Sequence, residues 1–216
     1  MKVKVKICCI GSEQEAKLAI QAGANALGLV AKMPSGPGPI SDQLILQIAQ
    51  SVPASIATFM LTSETTAADI IEHHKRTRTN TIQIVDALSA GTYAEIKKEL
   101  PDIKIVQVIH VIDESSIDEA IRISEMVDAI LLDSGNPNAA IKELGGTGRI
   151  HNWSLSKKIV EQLTVPVYLA GGLTAENVQQ AIDLVNPFGV DLCSSVRTNG
   201  ILDPVKLNQF FAAVNA

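Results

Sequence analysis

Two hydrophobic periods alternate along the chain. Short β-branched runs occupy residues 3–10, 26–31, 55–61, 81–85, 104–111, 129–133, 165–170 and 190–194. Some alternate apolar with polar residues and others are continuously apolar, as strands do when one or both faces are buried. Between and after them, apolar residues recur at three- and four-residue spacing over 12–22, 42–51, 66–76, 92–100, 115–124, 154–163, 175–185 and 204–214, the stripe of an amphipathic helix. Ser12 stands three residues before Glu15, and Ser115 three before Asp118, so both are expected to cap helix starts. Ala22-Gly23 offers a left-handed residue where the first helix should end. Strands that each feed a helix imply parallel pairing through right-handed crossovers. Eight such units in 216 residues predict an α/β fold, a single (β/α)8 TIM barrel domain spanning 1–216. An open, doubly wound sheet is the alternative. No linker or low-complexity block marks a second domain.

Composition narrows the class. The chain is 46% hydrophobic but only 3% aromatic, so Ile, Val, Leu and Ala must build the core. A net charge of -5 argues against a nucleic-acid or acidic-membrane partner. No run approaches the roughly 18 apolar residues of a membrane span. Lys2, Lys4 and Lys6 interrupt the first apolar run and leave no leader-like core. Three cysteines, two of them adjacent, make no disulfide framework, and a cytoplasmic protein with reduced thiols is expected.

A barrel of this kind carries its site at the C-terminal strand ends. Strand one ends at Cys8-Cys9, strand six at Asp133, strand seven at Gly171-Gly172 and strand eight near Ser194-Ser195. The loop after strand six holds Gly146, Gly148 and Arg149. Glycine pairs and hydroxyls after strands seven and eight suit a phosphate, because backbone N–H groups can approach it closely; the glycines could also serve only tight turns. Asp133 ends an apolar run, where desolvation would raise its pKa toward general-acid work; a turn-capping surface aspartate is the plainer possibility. Cys8 and Cys9 should point to opposite faces under period two, and a strand cysteine is often just a small buried hydrophobe. Of four histidines, His73 and His74 fall on the third helix, where a solvated face is expected, and only His110 ends a strand. No metal site, Walker motif or dinucleotide fingerprint emerges, so no cofactor is expected.

The motifs, taken in order, resemble the phosphoribosylanthranilate isomerase family. "KICCIGS" is similar to its K-I-C-G-I-T opening. "LLLDSG" followed by "GGTGRIHNW" is similar to its sixth-strand aspartate and following loop. "PVYLAGGLTAENVQQAI" and "GVDLCSSVRTNGILDPVKLNQF" are similar to its last two units. The resemblance implies an Amadori rearrangement, with general acid on Asp133 and general base on Cys8. Cys9 stands where the family has glycine, and is expected to face outward against a helix. The second loop, 33–41, lacks the family's arginine; "IQIVD" lacks its fourth-strand histidine; Gln107, Ser195 and Arg197 replace a lysine, a glycine and a glutamate. Arg149, with Arg197 and His110 as alternatives, is the first candidate for the substrate carboxylate. The alternatives to this isomerase are a divergent barrel isomerase of another sugar phosphate and a non-catalytic phosphometabolite-binding barrel. In each the partner is a small phosphorylated molecule, and the oligomeric state is open.

Overall fold

A computed structural model describes residues 2–146 and 148–216. Its elements run β1 (Lys4–Ile7), α1 (Glu13–Ala22), β2 (Ala26–Val30), α2 (Asp42–Ser51), β3 (Ala57–Thr62), α3 (Ala67–Thr77), β4 (Thr81–Ile84), α4 (Tyr93–Glu99), β5 (Lys104–His110), α5 (Ser115–Ser124), β6 (Ala129–Asp133), α6 (Trp153–Gln162), β7 (Val167–Leu169), α7 (Val178–Val185) and β8 (Gly189–Leu192). A 3-10 turn (Ser194–Val196), an antiparallel ribbon of β9 (Arg197–Thr198) and β10 (Ile201–Leu202), and α8 (Pro204–Val214) complete the chain. Strands β1 to β8 pair in parallel, in chain order, and close through β1 and β8. The closed barrel replaces the open-sheet alternative. No helix among the described residues is long and apolar enough to cross a membrane.

Period two sorts the side chains into two cores. Leu27, Leu29, Ile130 and Leu132 face the helices. Ala26, Val30, Ala129 and Leu131 face the barrel interior, where Phe59 and Tyr168 meet edge to face at 5.7 Å. Gly28 lies on that inner face of β2. A methyl group there would sit 2.6 Å from Cys8 Sγ and 3.1 Å from Lys6 Nζ, inside van der Waals contact. Gly28→Ala should therefore displace both neighbours and destabilise by about 1–3 kcal/mol, read as a melting temperature lower by roughly 2–4 °C per kcal/mol.

The caps follow the sequence in part. Ser12 accepts from the Glu15 N–H at 3.1 Å, and Gly23 closes α1 with φ 114°. Ser115 does not cap α5: Glu114 holds that position without a side-chain bond, and the Asp113 carboxylate accepts from the Ser115 N–H and hydroxyl. The expected start of α7 moves from 175 to Val178, because Asn177 folds residues 174–177 into a turn by accepting from the Thr174 N–H. His73 is buried, not solvated. Its ring joins Thr62 Oγ1 and Asp42 Oδ1, each at 3.1 Å, so it ties α3 to β3 and α2.

Candidate active site

The C-terminal strand ends open into a pocket of about 780 Å³, open solvent at its mouth included. Cys8, Asp133, Gly146, Gly148, Gly171, Gly172, Ser194 and Ser195 all line it. Thr147, inside the Gly-rich loop, lies outside the described residues. The barrel order places β7 and β8, with their glycine and serine loops, between β6 with Asp133 and β1 with Cys8.

Cys8 points inward and is buried. Two residues earlier, on the same face, Lys6 is fully buried, and its ammonium lies 2.8 Å from the carboxylate of Asp191. The two are register partners across the β1–β8 seam, and Lys6 Nζ stands 5.1 Å from the centre of the Phe59 ring. Burial pulls the Lys6 pKa down, but Asp191 and Cys8 more than offset it, so the net shift is upward and the amine stays charged. Burial pushes the Cys8 thiol up to about 11, against the opposing pull of Lys6. Asp133 is likewise raised, first by burial, although the Ser134 N–H and His110 favour its charged form. That N–H donates to Asp133 Oδ1 at 2.7 Å. On the other oxygen, Gly145 (φ 140°) leaves space that a methyl would invade at 2.9 Å from Oδ2. Asp133 thus has one oxygen fixed and one accessible.

Cys9 corrects an expectation. Its φ of 61° ends the strand alternation, so the side chain turns into the inner cluster and the pocket instead of packing against a helix. There it is disulfide-bonded to Cys193, with Cα atoms 6.0 Å apart across 184 residues of sequence. The expectation of reduced thiols throughout fails at this pair, because barrel closure makes neighbours of the first and last strand ends. Cys8 remains a free thiol.

On the β7–β8 side, Ser195 Oγ is buried without a hydrogen-bond partner, a donor available to an anion. Gly171 and Gly172 have φ of 85° and 61°. Their absent side chains make room for the backbone of Arg149 and Ile150: a methyl on Gly172 would lie 2.8 Å from the Arg149 carbonyl carbon. The pair therefore serves tight loop packing as well as pocket lining.

The three carboxylate-binding candidates do not face the pocket. Arg149 is not among its lining residues, and its guanidinium pairs with Glu143. Arg197 donates to the Cys9 carbonyl at 2.6 Å and to Glu15 at 2.9 Å, bracing the β1 loop. His110 is buried and donates from Nε2 to the Val85 carbonyl at 3.0 Å. The second loop covers the mouth with Ser35, Gly36 and Pro37. Its Ser35 hydroxyl donates to the Lys142 carbonyl at 2.6 Å, and Lys142 forms an ion pair with Asp86 at the end of β4. Among the described lining residues there is no cationic side chain.

Sequence reasoning missed Lys6 and Asp191. The signal was present: Lys6 precedes Cys8 by two residues and shares its face, and Asp191 precedes Cys193 in the same way.

Comparison with known proteins gives the family. Residues 5–213 match the family described as N-(5'-phosphoribosyl)anthranilate (PRA) isomerase. A protein of that name from Methanosarcina mazei is 34% identical over 210 residues, covering 96% of this chain and 92% of the relative. A phosphoribosyl anthranilate isomerase crystal structure from Thermotoga maritima superposes with a TM-score of 0.80 at 26% identity, covering 99% and 98% of the two chains. Another solved isomerase, in complex with reduced 1-(o-carboxyphenylamino)-1-deoxyribulose 5-phosphate, superposes with a TM-score of 0.77 at 25% identity, covering 99% and 98%.

Proposed function

The chain belongs to the N-(5'-phosphoribosyl)anthranilate isomerase family, and from that premise we propose how its own residues carry the reaction. The protein is a phosphoribosylanthranilate isomerase of tryptophan biosynthesis, an intramolecular oxidoreductase interconverting an aldose and a ketose. A small phosphorylated substrate, a cytoplasmic place of action and one barrel domain over 1–216 go with this reading.

One observation carries the mechanism: the two titratable groups face one pocket from strands that flank the phosphate-type loops. A phosphate seated at Gly171, Gly172, Ser194 and Ser195 sets the sugar between β6 and β1. Asp133, as carboxylic acid, gives its proton to the ring oxygen. The C1–O bond breaks, and the anilino nitrogen lone pair forms the C=N bond of a Schiff base. Cys8, as thiolate, takes the C2 proton. The C2–H electrons form the C1=C2 bond of an enolamine, and the C=N electrons return to nitrogen. Tautomerisation then yields the amino-ketose. Lys6, held by Asp191, stabilises the Cys8 thiolate and so positions the base.

The aromatic carboxylate needs a partner that the second loop does not supply. We assign it to Lys142, which like Arg149 stands outside the lining and paired with an acid, but whose backbone the second loop over the mouth already touches and which can exchange Asp86 for the ligand. A lost charge-assisted hydrogen bond costs roughly 1.5–3 kcal/mol, or about 10–150-fold in affinity. Turnover of phosphoribosylanthranilate, followed by the loss of its substrate signal, should show Lys142→Ala raising KM by about 10-fold or more with little change in kcat. Arg149→Ala should leave both within about two-fold. The reverse pattern moves the carboxylate to Arg149. No turnover by the wild type, together with isomerisation of a different aldose phosphate, replaces the substrate.

A further inference from the structure

We propose that Cys9 and Cys193 form a redox latch at the mouth of the active site, closed by low-molecular-weight disulfides and opened by thiols. Three observations converge. The Cα separation of 6.0 Å lies within the range a disulfide can bridge without moving backbone. The two residues come from the β1 and β8 loops, and both line the pocket. The residues that follow Cys193 are Ser194 and Ser195, on the anion side of that pocket, so the latch ties this loop to the strand that carries Cys8.

Exposure picks the first thiol to react, and proximity the second. Cys193 is half-buried and reachable, while Cys8 and Cys9 are both buried, and it is Cys9 that is bonded to Cys193. The Cys193 thiolate attacks one sulfur of the small disulfide, whose S–S bond breaks and whose other half leaves as a thiol carrying the Cys193 proton. Cys9 attacks the mixed disulfide at the Cys193 sulfur, and the second small thiol leaves with the Cys9 proton. Two electrons pass from the protein dithiol to the small disulfide, and both released groups are thiols. In a reducing cytoplasm such a pair is transient, as sensing disulfides are. Closed, it holds the β8 loop in the arrangement described above. Open, Cys9 keeps a left-handed backbone (φ 61°) with no bond to hold it, and the anion side loosens. The effect on turnover rests on the isomerase reading; the crosslink itself does not.

The test takes the full chain through a series of reduced and oxidised glutathione mixtures, quenches exchange with acid, alkylates the free thiols of the unfolded chain and maps them by peptide mass. Under oxidising mixtures Cys8 alone should be alkylated, and under reducing ones all three cysteines. The oxidised form should melt roughly 5–10 °C higher, since the closed loop is long. It should bind inorganic phosphate about 3–10-fold more tightly, and KM should follow while kcat stays level. Cys193→Ser should fix the affinity at the reduced value, and Cys9→Ala supplies the same control should that variant fold poorly. Three free thiols at every ratio, a crosslink that includes Cys8, or equal melting temperatures in both redox states each overturn the latch. Phosphate bound in neither state removes the anion-site reading instead, and the mapped crosslink and the melting shift still decide the latch.

Discussion

Asp133→Asn lowers kcat by about 10²–10⁴-fold, the usual contribution of a positioned acid, and leaves the fold intact. Asparagine keeps the side-chain shape and can still accept from the Ser134 N–H that fixes Oδ1 at 2.7 Å. What it loses is the proton on the open oxygen beside Gly145. KM should move little, because the phosphate loops on β7 and β8 are untouched. Steady-state turnover of phosphoribosylanthranilate, with circular dichroism to verify folding, checks the result. Wild-type activity in the variant would remove Asp133 from the mechanism.

Cys8→Ala produces a loss of similar size, about 10²–10⁴-fold in kcat, and it also changes the pH profile. The productive form has Asp133 protonated and Cys8 ionised. Burial pushes Cys8 up to about 11, and burial also raises the carboxyl of Asp133. Where the thiol titrates above the carboxyl, the productive form is the minor proton arrangement of the singly deprotonated pair. Its population rises as pH climbs through the Asp133 value, stays flat, and falls above about 11. Each unit by which the two values approach multiplies that population tenfold. Burial of Asp133 and the charge of Lys6 beside Cys8 both work in that direction. Plots of kcat/KM against pH should show the alkaline limb in the wild type and its disappearance in Cys8→Ala. The acid limb should disappear in Asp133→Asn. An alkaline limb unchanged in Cys8→Ala would assign that titration to another group.

The barrel was legible because each strand–helix unit carries its own period, and chain order fixes which strands neighbour each other. The glycine and serine loops were legible for the same reason, since strand ends mark the pocket. Local backbone was harder. Cys9 was expected to continue the alternation of β1, but a left-handed φ at one residue reverses its direction. Arg149 stood in the right loop, yet which way its guanidinium turns depends on Glu143, six residues away. His73 read as helix surface because its partners, Thr62 and Asp42, arrive from other elements. The disulfide was invisible to spacing, although a closed barrel already implies that residues near the ends of β1 and β8 meet.

The buried Lys6–Asp191 pair bears on how the chain avoids closing wrongly. While β8 is still unmade, β1 is an open edge with unpaired backbone groups, the kind of strand that invites foreign partners. Lys6 points inward from that edge. Any other strand that docked there would take its ammonium out of water with no carboxylate waiting, at a cost of several kcal/mol for one unpaired ion. Only β8 brings Asp191 into register. In a nascent chain, therefore, the same charge that later stands beside the Cys8 thiol guards the unfinished edge against intrusion and against docking by a second copy, and admits the final strand.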